Sequence, residues 1–94
     1  MIELYQAEWC PYSSRVRQRL TELGISFIAH QVPPDQSDRE ELRRKTGSDE
    51  IPALIDDGKR IAGDADALIA YLDRTYREPA DAAEHRRQAE LHDR

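Results

Sequence analysis

Apolar residues along this chain fall into short alternating runs and helical stripes that follow one another in a definite order. Ile2 and Leu4, with Gln6, alternate with Glu3 and Tyr5, which predicts a short opening strand. Pro11 suits the first turn of a helix, where its missing N–H costs nothing. Val16, Leu20 and Leu23 then recur at helical spacing, with Arg15, Arg17, Arg19 and Glu22 outside and Gly24 as the stop. Residues 25–32, led by Phe27 and Ile28, read as a second strand that Pro33-Pro34-Asp35 breaks. Ser37 and Glu40 have capping-box spacing, so a helix is predicted from near Asp38 to about Lys45, with Leu42 as its narrow stripe and Gly47 at its end. Residues 51–55 form a third strand led in by Pro52, Asp57-Gly58 is a hairpin turn, and residues 59–62 form a fourth strand ended by Gly63. Asp64 or Asp66 caps a third helix that buries Leu68, Ile69, Leu72 and Tyr76 and ends at Pro79.

The order β-α-β-α-β-β-α defines an α/β fold. A helix joins the first two strands, so they should be parallel with a right-handed crossover, and the last two form an antiparallel hairpin. The expectation is a mixed four-stranded sheet with flanking helices over residues 1–79. Residues 80–94 read as a charged, alanine-rich tail, a frayed or partly ordered helix rather than a partner-binding one. The pairs Asp81/His85 and Glu90/Arg94 stand four apart, and Leu91 is its only large aliphatic residue.

Composition narrows the function. With 94 residues, 38% of them apolar, the chain makes one small domain. A net charge of −5, from 14 basic and 19 acidic residues, argues against a nucleic-acid partner. No apolar run approaches the roughly 20 residues of a membrane span, and Met1 to Tyr5 lack the features of a signal peptide. The expectation is a soluble cytoplasmic protein, a monomer with no membrane partner. A single cysteine rules out a disulfide scaffold, an all-cysteine zinc site and a self-contained dithiol pair. His30, His85 and His92 have no metal-ligand spacing with Cys10, so no metal site is expected.

Cys10 is the strong candidate nucleophile. It follows a strand and stands at a helix N-terminus, where unsatisfied N–H groups and the helix dipole favour a thiolate and lower the thiol pKa. Pro11 sets the start of that helix, Tyr12 places an aromatic edge beside the sulfur, and Ser13 caps the helix at its surface or hydrogen-bonds the sulfur. Trp9 precedes the nucleophile, either open to a partner or packed on the sheet edge.

Cys10-Pro11-Tyr12-Ser13 resembles the active-site motif of glutaredoxins, in which a second cysteine often stands where Ser13 does. Ile51-Pro52 resembles the Thr-Val-Pro element whose proline is cis in the thioredoxin fold, and Gly63-Asp64 resembles the Gly-Gly-x-Asp element. Residues 10–27 and 66–72 are equally similar to the N-terminal domain of cysteine-type glutathione transferases. The resemblance implies a thioredoxin-like fold over about residues 1–76, a single-cysteine thiol–disulfide exchange at Cys10, and glutathione or another low-molecular-weight thiol as cosubstrate. Glutathionylated or mixed-disulfide proteins are the implied partners. It assigns substrate contacts to Pro11, Tyr12, Ile51, Pro52, Gly63 and Asp64, with Ile51 offering its backbone to an extended peptide and Asp64 lying near the γ-glutamyl end.

The sequence also departs from that pattern. Ala7 stands where glutaredoxins usually carry lysine, Ser48-Asp49 where a Gln or Arg meets the glycine carboxylate, and Glu50 where threonine is usual. Arg43, Arg44 and Lys45 are the cations available to compensate. Transferase-like or dehydroascorbate-reductase-like chemistry and a non-catalytic thioredoxin-fold binding module are the alternatives. Iron–sulfur cluster handling is a weaker one, because its usual Gly-Phe is replaced by Pro11-Tyr12.

Overall fold

The computed structural model describes residues 1–92. Strand β1 (Ile2–Gln6) leads into helix α1 (Pro11–Glu22), strand β2 (Phe27–Gln31), a single 3-10 turn (Gln36–Asp38) and helix α2 (Glu40–Thr46). Strands β3 (Ala53–Asp56) and β4 (Lys59–Ile61) follow, then helices α3 (Ala65–Thr75) and α4 (Ala82–His92). The sheet order is β2-β1-β3-β4. β1 pairs parallel with β2 from Ile2–Phe27 and antiparallel with β3 through Leu4–Leu54, and β3 pairs antiparallel with β4. This is the thioredoxin-like arrangement.

β1 is central, so its alternation is one of faces rather than of burial. Ile2 and Leu4 join Val16, Leu20, Leu54, Leu68 and Leu72 in the core under α1 and α3. Tyr5 packs on the opposite face with Val32, Leu42, Ala53 and Ile55 under α2. Gln6 is fully buried as well. Asp57 and Gly58 both have positive φ, 52° and 84°, the geometry of a tight hairpin turn between right-twisted strands.

Several boundaries differ from the sequence expectation, each for a local reason. The second strand starts at Phe27, not Ile25, because the Ile25 N–H closes α1 by donating to the Leu20 carbonyl at 2.9 Å. Ser37 does not cap α2. The Asp35 carboxylate takes both its N–H (2.9 Å) and its hydroxyl (2.8 Å), which makes the 3-10 turn and delays α2 to Glu40. β3 begins at Ala53, beyond the cis Ile51–Pro52 bond. α3 ends at Thr75, before Pro79, as Tyr76 turns to extended backbone. Arg17 and Arg19 are half-buried and Glu22 is buried, so three of the residues assigned to the outside of α1 lie against neighbouring elements. The tail is a regular helix docked on α1, with Ala82 1% exposed. Asp81 and His85 form the expected pair at 3.5 Å, while Arg94 of the Glu90/Arg94 pair lies outside the described residues.

Candidate active site

β1 delivers the chain to a turn in which the Cys10 N–H donates to the Ala7 carbonyl at 3.1 Å. Cys10 is the N-cap of α1, with extended backbone, and Pro11 occupies the first helical turn. The sulfur therefore takes the role a capping oxygen usually fills, and accepts the Ser13 N–H at 3.5 Å. Cys10 is 5% exposed and is the sole cysteine. Burial pushes its thiol pKa up. Hydrogen bonding from the side chain and N–H of Ser13 and from the Tyr12 N–H, with the positive charge of Arg17, outweighs burial and brings the thiol below its ordinary value.

Ser13 is not a surface cap. It is fully buried, and its hydroxyl makes no well-aligned hydrogen bond while lying near enough to the sulfur to favour a thiolate. The sequence carried the signal: Ser13, Val16 and Leu20 share one helical stripe.

Beside the cysteine runs a groove of about 840 Å³. Trp9, Tyr12, Ile51, Pro52, Gly63 and Asp64 all contribute to its walls. Trp9 and Tyr12 form an open aromatic rim, 62% and 60% exposed. Cys10 and Pro11 are not wall residues, so the sulfur is set back behind that rim. Pro52 is buried, and the β1–β3 ladder begins only at the Tyr5–Ala53 pair, which leaves the Ile51 main chain ahead of it. Gly63 has φ +120°, and a Cβ there would lie 2.4 Å from the Ala67 Cβ, so only glycine fits. Asp64 caps α3 by accepting the Ala67 N–H at 3.0 Å, while Asp66 turns to pair with Arg15 across to α1. Of the two acids offered as caps, Asp64 is the one used.

Cations reach the groove from positions the sequence reading missed. Arg15, Arg39 and Arg60 line it, whereas Arg43, Arg44 and Lys45 do not. Arg43 turns instead to the Gln36 carbonyl at 2.9 Å. Arg39 is buried and braces the loops, donating to the carbonyls of Pro33 (2.8 Å), Asp49 (2.9 Å) and Pro34 (3.2 Å). Arg60 donates to the Arg44 carbonyl at the end of α2 at 3.1 Å. The hairpin signal could have located Arg60, since the Asp57-Gly58 turn pairs it with Ile55 on the α2 face. Ser48 and Glu50 also stand in the wall, so the groove carries both signs of charge.

Comparison with known proteins agrees with this geometry. A family model described as "Glutathione S-transferase, N-terminal domain" matches residues 4–80. Glutaredoxin 3 of Escherichia coli K12 is 31% identical over 62 residues, 66% of this chain and 75% of that protein. An uncharacterized glutaredoxin-like 8.6 kDa protein in the rubredoxin operon of Clostridium pasteurianum is 31% identical over 72 residues, 77% of this chain and 96% of that one. The crystal structure of a diazinon-metabolizing glutathione S-transferase from the silkworm, Bombyx mori, superposes with a TM-score of 0.72 at 26% identity. It covers 82% of this chain, which spans only 38% of the silkworm protein's length. The family match over residues 4–80 and the two glutaredoxin-like relatives place the chain: it belongs to the thioredoxin-fold family of glutaredoxins and glutathione S-transferase N-terminal domains.

Proposed function

We propose that the chain is a single-cysteine thiol–disulfide oxidoreductase that reduces mixed disulfides between a small thiol and proteins. The observation that carries this reading is the sulfur of Cys10 standing as the N-cap of α1, with its pKa lowered and an open groove beside it. Glutathione or a comparable low-molecular-weight thiol is the proposed cosubstrate. The donor set suits such a peptide. The Ile51 main chain and Pro52 offer an extended edge, and Asp64 with the first N–H groups of α3, reached through the tight turn at Gly63, suits an amine and a carboxylate. Pro11 and Tyr12 follow Cys10 in the first turn of α1 as the proposed contacts beside the sulfur, and Arg39 and Arg60 supply positive charge for a second carboxylate.

In this mechanism the Cys10 thiolate attacks the small-thiol sulfur of a mixed disulfide. The protein sulfur leaves as a thiolate and takes a proton from solvent, and Cys10 is left in a disulfide with the small thiol. A second small thiol attacks the small-thiol sulfur of that bond, and Cys10 departs as a thiolate. The entering small thiol is the reductant: it gives its proton to solvent and leaves joined by a disulfide to the small-thiol sulfur taken from the protein, so one thiol is consumed for each protein thiol released. A lowered pKa makes Cys10 the better leaving group in the second step. Residues 1–79 carry the activity, with α4 appended, and we assign it to a monomer in the reducing cytoplasm, where a lone thiol stays free.

The test is turnover of a glutathionylated peptide with excess glutathione, alongside Cys10→Ser. Turnover that disappears in the variant supports the proposal. An inert, slowly alkylated Cys10 would overturn it in favour of a binding module. A second reading, addition of the small thiol to an electrophile, is favoured by the transferase family match over residues 4–80. It predicts conjugation of an electrophile without disulfide turnover.

A further inference from the structure

Arg17 makes contacts that the reaction above does not use. It lies on α1, two turns beyond Cys10, and its side chain runs back beneath the turn that presents the cysteine. Its Nη1 donates to the Gln6 side-chain carbonyl and to the Ala7 carbonyl at 3.4 Å, and stands 3.4 Å from the Glu8 carboxylate. Gln6 is fully buried in the central strand, and its own amide donates to Gln31 on β2 at 3.2 Å. Gln6 is thus a fixed acceptor rather than a mobile one. The Ala7 carbonyl also receives the Cys10 N–H at 3.1 Å. One oxygen therefore joins the guanidinium to the backbone of the nucleophile.

We infer that Arg17 is a positioning residue for Cys10: anchored by buried Gln6, it holds the Ala7 carbonyl from which Cys10 hangs and so fixes the turn that presents the sulfur. This rests on the reading of Cys10 as a reactive thiol. Other ionisable groups stand on the turn and in the groove beside it: Glu8 on the turn, Tyr12 and Arg15 on α1, Asp64 at the cap of α3 and Asp66 in its first turn. Glu50, Arg39 and Arg60 lie along the groove walls. Arg15 and Asp66 pair with each other, Asp64 is engaged as a helix cap, and Arg17 is the charge that lowers the thiol pKa. Glu8, 71% exposed, partly offsets it. The sign follows: removing Arg17 raises the thiol pKa, and removing Glu8 leaves Arg17 unopposed and lowers it.

The experiment is the pH profile of Cys10 alkylation by iodoacetamide in the full chain, for wild type, R17Q, R17K and E8Q, with thermal melts by circular dichroism. On the rising limb of the profile R17Q should react about threefold more slowly than wild type, the scale of one partly screened charge pair. R17K should restore most of the rate, and E8Q should react faster than wild type. A general loosening of the fold would lower the melting temperature of R17Q without moving the profile. A wild-type profile that lies low but is unmoved by R17Q, or an R17K that behaves as R17Q, overturns the role of Arg17 alone. An ordinary wild-type profile overturns the proposed function itself. Should R17Q fail to fold, E8Q decides, and an unchanged E8Q profile overturns the inference.

Discussion

Ser13 is where the chemistry of single residues is most exposed to test. Its N–H reaches the sulfur, yet its hydroxyl is buried without a well-formed partner. A buried polar group of that kind contributes little and costs about 1–3 kcal/mol when wholly unsatisfied. Ser13→Ala should therefore fold at least as stably as wild type, within about 0.5 kcal/mol or better. The same change removes one of the groups that lower the Cys10 pKa, so the alkylation profile should move to higher pH. Unchanged alkylation with a lower melting temperature would mean that the hydroxyl serves packing alone. At this scale the sequence was informative where chemistry is local. Cys10-Pro11 announced a helix start, and Asp57-Gly58 announced the hairpin turn. Arg17, Arg39 and Arg60 were not legible, because their partners lie on other elements: Gln6 on β1, the carbonyls of Pro33 and Asp49, and Arg44 on α2.

Between elements, charge rather than apolar area fixes the last helix. Arg19 on α1 pairs with Glu22 at 2.8 Å, with Asp73 on α3 at 2.7 Å and with Glu78 at 3.0 Å. Arg86 on α4 returns to Glu22 and Glu78, both at 3.0 Å. Glu22 is the shared, buried member. Burial pushes its carboxyl up, but Gln18, Arg19 and Arg86 together bring it below the ordinary value of 4.5. A carboxyl depressed in the folded state stabilises above its unfolded pKa, and that contribution fades as pH falls through the folded one. Glu22→Ala should lower the melting temperature at pH 7 by roughly 5 °C, the equivalent of about 1 kcal/mol in a domain this small. The deficit should shrink below pH 4.5, where wild type loses the same interaction. A deficit constant from pH 3 to 7 would show that Glu22 acts by packing instead. Nothing in residues 80–94 alone disclosed this docking. The helix has few large apolar side chains, and its anchors are separated from Glu22 by up to 64 positions.

Across the whole molecule, the end of an inner strand and the end of α3 are tied by one carboxylate. Asp56, the last residue of β3, accepts the hydroxyls of both Tyr71 and Tyr76 at 2.6 Å. The tyrosines arrive from a helix whose apolar stripe was plain in the sequence, but the carboxylate between them is a contact only the assembled sheet creates, because β3 must lie beside β1 for Asp56 to stand opposite Ile2. Burial raises the Asp56 pKa, and the two hydroxyls outweigh it, so the group sits below its ordinary 3.8. The same bonds act oppositely on the phenols: Asp56 raises Tyr71 above its ordinary value and pushes Tyr76 up to about 12. Both effects stabilise the fold at neutral pH, and each is lost at one end. The carboxylate contribution fades as pH drops from 3.8 through the depressed folded value. The phenol contribution is complete below the unfolded value of 10.0 and disappears as pH climbs towards about 12. Urea melts should therefore show a plateau of stability between about pH 4 and 10 with a decline on either side. Asp56→Asn keeps an acceptor but removes the charge, so it should lower the plateau and flatten the alkaline decline, while spectrophotometric titration finds Tyr76 ionising at lower pH. An Asp56→Asn chain with the wild-type alkaline decline would show that the clamp does not set the upper limit of stability.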